Sequence, residues 1–196
     1  MIKIIDYKAG NAPSVLNAVS HLGFQAALAS SPPDLQDATR IILPGVGSAK
    51  ATMQSLREME MIPALRHMVL RNRTPFLGIC VGMQILFGHS EEEDTVCLGW
   101  LPGRVVKFDA SQVRVPQMGW NRVRFADGRE DYFYFVNSYY AKPENQADIW
   151  GTANYNNDFT AAVRRGNLYG TQFHMEKSGE AGLRLLGEFL KEGGIC

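Results

Sequence analysis

The sequence predicts an α/β protein: a mostly parallel central sheet flanked by helices and extended by antiparallel strands in its second half. Three observations predict it. Short apolar runs alternate with segments of helical spacing through the first half. The second half carries short strand-like runs separated by Gly, Asn, Asp and Pro. Between the halves, PFLGICVGMQ (75–84) passes from strand to helix at a single residue, Cys80.

Taken in order, Ile2 to Ile5 is a short apolar strand. Ser14 to Leu22 has helical spacing (Val15, Leu16, Val19, Leu22) and is closed by Gly23. Phe24 to Ala29 reads as a second strand and Arg40 to Leu43 as a third, stopped at Pro44-Gly45. Ala49 to Met59 and Pro63 to Leu70 read as helices, the second with proline in its tolerated first turn. A strand ending at Cys80 and a helix from Val81 to Phe87 come next. This βαβα rhythm implies parallel strands covered by helices on both faces. Beyond it, strands are expected at Val105–Phe108, Val113–Val115, Asn121–Phe125, Tyr132–Val136, Ile149–Thr152, Thr160–Val163 and Leu168–Phe173. A closing helix is expected at Gly179–Lys191. With no repeat and no linker, residues 1–196 read as one domain.

Composition narrows the function. Lys+Arg and Asp+Glu both total 20, so the net charge is zero, and no basic run favours a nucleic acid or an anionic membrane. The opening MIKIIDYKAGN lacks a signal peptide's apolar region and falls short of a membrane span. Cys80, Cys97 and Cys196 form no CxxC pair, so reduced thiols and a cytoplasmic setting are expected. The four histidines are scattered, no spacing suits zinc, and no glycine-rich phosphate loop is present, so no metal or cofactor is expected.

In an open parallel sheet the site lies outside the carboxyl ends of the strands. Pro44-Gly45-Val46-Gly47, Gly78 to Gln84 and Gln172 to Lys177 all fall at such ends. A thiol at a strand-to-helix turn is presented at the top of the sheet, as in a nucleophile elbow. The helix starting at Val81 favours the thiolate, and the Val81 N–H is placed for an oxyanion. The competing reading of Cys80 is a buried structural cysteine. A thiolate needs a base and the base an orienting group. His21 and His67 sit in helix-like runs, and His89 is expected to cap the Cys80 helix. His174 stands apart in GTQFHMEKSG, with Glu176 two residues on, hence on the same face of an extended segment. The competing reading there is an exposed histidine beside a surface glutamate. The Gly45-Val46-Gly47 turn could turn a second N–H, from Val46 or Gly47, to the oxyanion; an ordinary β-to-α loop is the alternative.

Together these stretches resemble the class I (triad-type) glutamine amidotransferases. GICVGMQ matches that family's nucleophile motif and QFHMEKS its His-x-Glu motif. LPGVG, PQMGWN (116–121), YFVNSYY (134–140) and the DYKAGN opening resemble one branch, whose glutaminase subunit serves histidine biosynthesis. The resemblance implies a flavodoxin-like sheet and a Cys80–His174–Glu176 triad that hydrolyses L-glutamine through a glutamyl thioester. Val81, Val46 and Gly47 would form the oxyanion hole. Gly45, Gly47, Gln84, Glu92, Ser138 and Tyr139 would line the glutamine pocket. The ammonia would pass to a (β/α)8-barrel cyclase subunit in a heterodimer, with Asn11, Trp120 and Tyr134 at or near the contact. No cofactor is implied.

The chain departs from the family pattern at several positions. Met175 replaces an almost constant proline, which frees the backbone between base and orienter and implies a looser triad. Lys8 stands where glycine is usual, Asn137 where histidine is frequent, and Ala49 where an aromatic is common. A paralogous glutaminase feeding another synthase, such as one amidating a sugar nucleotide, would look nearly the same. A non-catalytic relative with a binding role is a further alternative, against which the intact Cys80, His174 and Glu176 argue.

Overall fold

Buried strands and amphipathic helices alternate through the first half of the chain. In order they are β1 (Ile2–Ile5), α1 (Ala12–His21), β2 (Ala26–Ala29), β3 (Arg40–Gly45), α2 (Ala49–Glu58), α3 (Met61–Arg66), β4 (Phe76–Cys80) and α4 (Val81–Gln84). The computed structural model describes residues 1–8 and 11–191, and Cys196 lies outside them. Every residue of β1 and β4 is buried, the pattern of strands covered on both faces. α1 starts with proline in its first turn, and the Ser48 hydroxyl caps α2 by accepting from the Ala51 amide.

The second half is mostly strand: β5 (His89–Ser90), β6 (Thr95–Val96), β7 (Gly103–Lys107), β8 (Gln117–Phe125), β9 (Glu130–Asn137), β10 (Tyr139–Pro143), β11 (Ile149–Tyr155), β12 (Asn157–Arg165) and β13 (Leu168–Thr171). The chain closes on α5 (Gly179–Lys191), whose Leu185, Leu186, Phe189 and Leu190 are buried. Five parallel strands make the centre of the sheet in the order β2-β1-β3-β4-β13. β12 then runs antiparallel to β13 and carries the sheet to β10 and β7, while β11, β8 and β9 branch from it. α1 packs with α5, and α2 with α3 and α4.

Register aligns the strand ends. Gly45 of β3 lies opposite Cys80 of β4, and Thr171 of β13 lies opposite Ile79. The carboxyl ends of three adjacent strands therefore finish side by side. Phe173, just beyond β13, stacks on Phe133 of β9 with ring centres 4.1 Å apart, which ties the turn after β13 to the antiparallel wing.

The structure differs from the sequence expectations in instructive ways. Val113–Val115 is not a strand. The Asp109 carbonyl takes the Gln112 and Val113 amides and the Asp109 carboxylate takes Ser111, so local turn bonding captures this backbone. The helix after Cys80 stops at Gln84 instead of Phe87. The carbonyls of Ile85, Leu86 and Phe87 are taken by amides of Leu98, Gly99, Trp100 and Leu101, a distant segment. His89 therefore caps no helix: it lies in β5 with Nε2 2.8 Å from Asp94. β13 ends at Thr171, two residues early, and β10 is a strand that the sequence pattern did not reveal. α3 passes at His67 into a wide turn through Arg71.

Two substitutions test this packing in opposite directions. A methyl group at Gly82 would run into the Leu43 carbonyl oxygen of β3, so Gly82→Ala should lower the unfolding free energy by about 2–3 kcal/mol in urea titrations. Lys8 has φ 64, a conformation that costs an L-residue about 1 kcal/mol or more. Lys8→Gly should recover about that amount, visible as a higher urea midpoint.

Candidate active site

Cys80 is the last residue of β4, and α4 begins at Val81. The reversal forces Cys80 to φ 55, ψ −111, outside the ordinary regions for a side chain with a Cβ. Strain of this kind costs on the order of 1–3 kcal/mol and persists only where its surroundings impose it. Three glycines impose it here. A methyl at Gly78 would strike the backbone of Gly82, and one at Gly45 would come 2.5 Å from the Gly82 nitrogen. Backbone lies directly on backbone beneath the cysteine, which is why glycine stands two residues to either side of it.

His174 follows β13 and is held by main-chain groups. Its N–H donates to the Tyr134 carbonyl at 3.0 Å. The Ser178 hydroxyl donates to the His174 carbonyl at 2.5 Å and accepts the Tyr134 N–H at 3.0 Å. The imidazole is buried, with Nδ1 2.8 Å from Glu176 Oε1. Residues 175–177 form a 3-10 turn instead of continuing an extended segment, so the two side chains meet around a turn and not along one strand face. Met175 does not loosen the pair: its side chain is wholly buried and the His174–Glu176 bond has full hydrogen-bonding length.

Burial by itself would push the His174 imidazole down. Hydrogen bonds to the Cys80 sulfur and the Glu176 carboxylate outweigh burial and raise it to about 10. With Nδ1 on Glu176, the sulfur falls to Nε2. Burial opposes charge on Glu176 too, but the His174 imidazole and the Asn11 amide hold its carboxyl below the usual range. Across the neutral range the arrangement is an imidazolium between a carboxylate and a sulfur, able to protonate a leaving group.

A cleft of about 300 Å³ opens in front of Cys80 and His174, a size suited to a small ligand. Val46, Gly47, Val81, Gln84, Glu92, Ser138 and Tyr139 line it. Gly45 lies behind this wall, opposite Cys80 in register. Glu92 accepts the Ala49 N–H at 2.7 Å, and burial raises its carboxyl, with Ala49 opposing. Burial raises the Tyr7 phenol, with the Thr52 hydroxyl and the Val46 amide opposing.

Asn11 was expected at a partner contact. Its side chain leaves the first turn of α1 uncapped and donates to Glu176 Oε1 at 2.7 Å. Trp120 is 57% exposed and pairs across the β8–β9 ladder with Tyr134, their rings 6.1 Å apart. Sequence reasoning missed Tyr7, Gln172 and Lys177. Gln172 is wholly buried with its amide nitrogen 3.5 Å from the Cys80 sulfur, and Lys177 lines the cleft. Both lie in the Gln172–Lys177 stretch that strand-end placement had singled out. Cys97, by contrast, is buried away from the cleft, and burial pushes its thiol up to about 11.

A cysteine on a strained elbow, sharing a cleft with a histidine that a glutamate orients, is the apparatus of acyl transfer through a thioester. The chain belongs to the class-I glutamine amidotransferase family, whose model matches residues 3–192. Among its relatives is imidazole glycerol phosphate synthase subunit HisH 2 of Methanococcus maripaludis, 41% identical, over 98% of this chain and 100% of that protein. The HisH subunit of Herpetosiphon aurantiacus is 42% identical over 97% and 94%. The chloroplastic imidazole glycerol phosphate synthase hisHF of Arabidopsis thaliana is 43% identical over 97% of this chain and 34% of that longer protein. A crystal structure of a glutamine amidotransferase superposes with a TM-score of 0.79 at 17% identity, covering 96% of this chain and 97% of that one, a likeness of fold.

Asn11→Ala removes a donor from Glu176 and lets its carboxyl rise. The acid limb of the glutamate-release profile should therefore move to higher pH, and turnover at neutral pH should fall about 10-fold. Initial rates across the pH range check both.

Proposed function

We propose that this protein is the glutaminase subunit of imidazole glycerol phosphate synthase, acting as one amidotransferase domain over residues 1–196. In this reading it hydrolyses L-glutamine and passes the ammonia to a (β/α)8-barrel cyclase subunit in a cytoplasmic heterodimer. The cyclase uses it to form imidazole glycerol phosphate and an aminoimidazole carboxamide ribonucleotide on the route to histidine. The observation that carries the reading is Cys80 and the Glu176-bonded His174 facing one cleft, in a chain about 40% identical, over nearly its whole length, to HisH subunits.

The chemistry follows from the geometry. The Cys80 sulfur attacks the side-chain carboxamide carbon, a C–S bond forms, and the carbonyl electrons move onto oxygen. Protonated His174 gives its proton to the amide nitrogen, the C–N bond breaks, and ammonia leaves a glutamyl thioester. His174, now neutral, takes a proton from water as its oxygen attacks the thioester. The C–S bond breaks, glutamate departs, and the thiolate–imidazolium pair is restored. Glu176 keeps the imidazole in the tautomer that presents Nε2 to the sulfur. The Val81 N–H stands ready for the oxyanion, and the Gly45-Val46-Gly47 turn supplies a second donor once its peptide rotates. Glu92, beside the cleft, suits the α-ammonium group of glutamine. Exposed Trp120 with Tyr134 suits the partner contact.

The Gly45-Val46-Gly47 turn is then a two-state element. With the Val46 amide on Tyr7 the oxyanion hole lacks that donor, and rotation of the peptide supplies it. Gly47, at φ 94 and with open space around its Cα, gives the turn room to rotate.

The test is glutamate release with the cyclase subunit, with and without its nucleotide substrate. Turnover stimulated by partner and nucleotide, and lost by about 10³-fold or more in Cys80→Ala, is the expected result. Turnover absent with that partner but present with a sugar-nucleotide-amidating synthase would transfer the assignment to the paralogous role. Tyr7→Phe removes an acceptor for the Val46 amide, so turnover without nucleotide should rise several-fold.

A further inference from the structure

The geometry points to Gln172 as a catalytic residue. We propose that its side-chain amide donates a hydrogen bond to the Cys80 sulfur, and that a relay from the Tyr139 carbonyl through Gln84 fixes the direction of that bond. The inference rests on the reading of Cys80 as nucleophile.

Direction is decisive, because an amide can present either oxygen or nitrogen. The relay begins at a group without that ambiguity. The Tyr139 backbone carbonyl can only accept, and it lies 3.0 Å from one terminal atom of the Gln84 side chain. That atom must be the nitrogen. The same nitrogen is 3.0 Å from the Gln172 side chain, so Gln172 turns its oxygen to Gln84. The Gln172 nitrogen is then left facing the Cys80 sulfur at 3.5 Å. Asn137 also donates to the Tyr139 carbonyl at 3.0 Å, which further anchors its position.

A donor at the sulfur discriminates between its protonation states. An N–H bonds an anionic sulfur far better than a neutral thiol. The carbonyl that a Cys80 S–H could reach, that of Val136, lies at a long 3.9 Å. Gln172 and Gln84 are buried at 0% and 3% exposure, so water does not compete for the bond. The surroundings thus favour the charged sulfur on both counts. Gln172 acts where the sulfur carries charge: before attack, and again when the thioester breaks and sulfur leaves with the C–S electron pair. Between those points sulfur is bonded to carbon and neutral, and the donor holds it weakly. The bond therefore assists the step in which sulfur leaves and charge returns to it, more than the attack, in which charge leaves it.

Alkylation of Cys80 by iodoacetamide in the full chain, read by peptide mass spectrometry, tests the relay without glutamine or partner. The titratable groups near the sulfur (His174 with Glu176 behind it, Tyr7, and Glu92 and Lys177 of the same cleft) are unchanged in both variants used. Buried Cys97 serves as an internal control for unfolding. Gln172→Met keeps the volume and removes the donor. Its alkylation should be about 10-fold slower near pH 6 to 7, with the deficit shrinking as pH rises. Gln84→Met keeps the Gln172 amide but frees it to turn, and should slow alkylation in the same pH-dependent way by a smaller factor. Rates within about two-fold of wild type in both variants, or an equal loss at every pH, overturn the proposal. If one variant does not fold, the other decides. Glutamate release that survives Cys80→Ala would instead overturn the nucleophile assignment, a result the alkylation profile does not imitate.

Discussion

The contact on which this structure depends is between main chains. Gly45 of β3, Gly78 of β4 and Gly82 of α4 bring backbone onto backbone, with no room for a single methyl group between them. That contact lets the first turn of α4 fold back over the ends of β3 and β4 and holds Cys80 at positive φ. The strained residue cannot relax because its neighbours on both sides belong to a buried parallel sheet, where the ladders already pair the backbone groups. The strain is thus maintained by a wholly buried strand.

From that point the site is assembled by strands arriving from far along the chain. β13 inserts beside β4 and delivers Gln172 and His174 to the same edge. The antiparallel wing then closes over it: Tyr134 of β9 binds His174 through its carbonyl and Ser178 through its amide. The Tyr134 ring meets Trp120 on the exposed side of the same ladder. A partner bound to that aromatic pair would be one peptide unit from the base of the triad. Asn11 makes a second such link, since it opens α1 and reaches Glu176. Surface and reaction centre are joined by short, stiff connections, and a surface event could be felt at the histidine through either.

The departures from the family pattern acquire physical meaning here. Met175 fills a fully buried space within a 3-10 turn and leaves the His174–Glu176 bond at 2.8 Å. Proline at this position is one way to shape the turn; the Ser178 clamp on the His174 carbonyl is another. Lys8 adopts the left-handed conformation that glycine would take freely, its amide held by Asp6. Asn137 does not face the chemistry with a titratable ring. It donates to the Tyr139 carbonyl, the group that also receives Gln84.

Sequence alone determined what depends on local chemistry. The apolar runs of β1, β3 and β4, the helical spacing of α1 and α2, the elbow at Cys80 and the strand-end position of His174 are properties of neighbouring residues, and they were legible. So was most of the cleft, because its residues lie in a few short motifs. Tertiary structure decided everything in which a distant backbone group competes with a near one. It ended α4 at Gln84 by offering the next carbonyls to residues 98–101. It moved His89 from a helix end to Asp94 and turned Asn11, expected at a partner contact, inward to Glu176. It also aimed Gln172 at the sulfur, since the orientation of that amide is inherited from a carbonyl in a strand far earlier in the chain, Tyr139. The division has one cause. Periodicity and turn chemistry report what a segment prefers by itself, whereas a hydrogen bond between remote residues exists only after the sheet has brought them together.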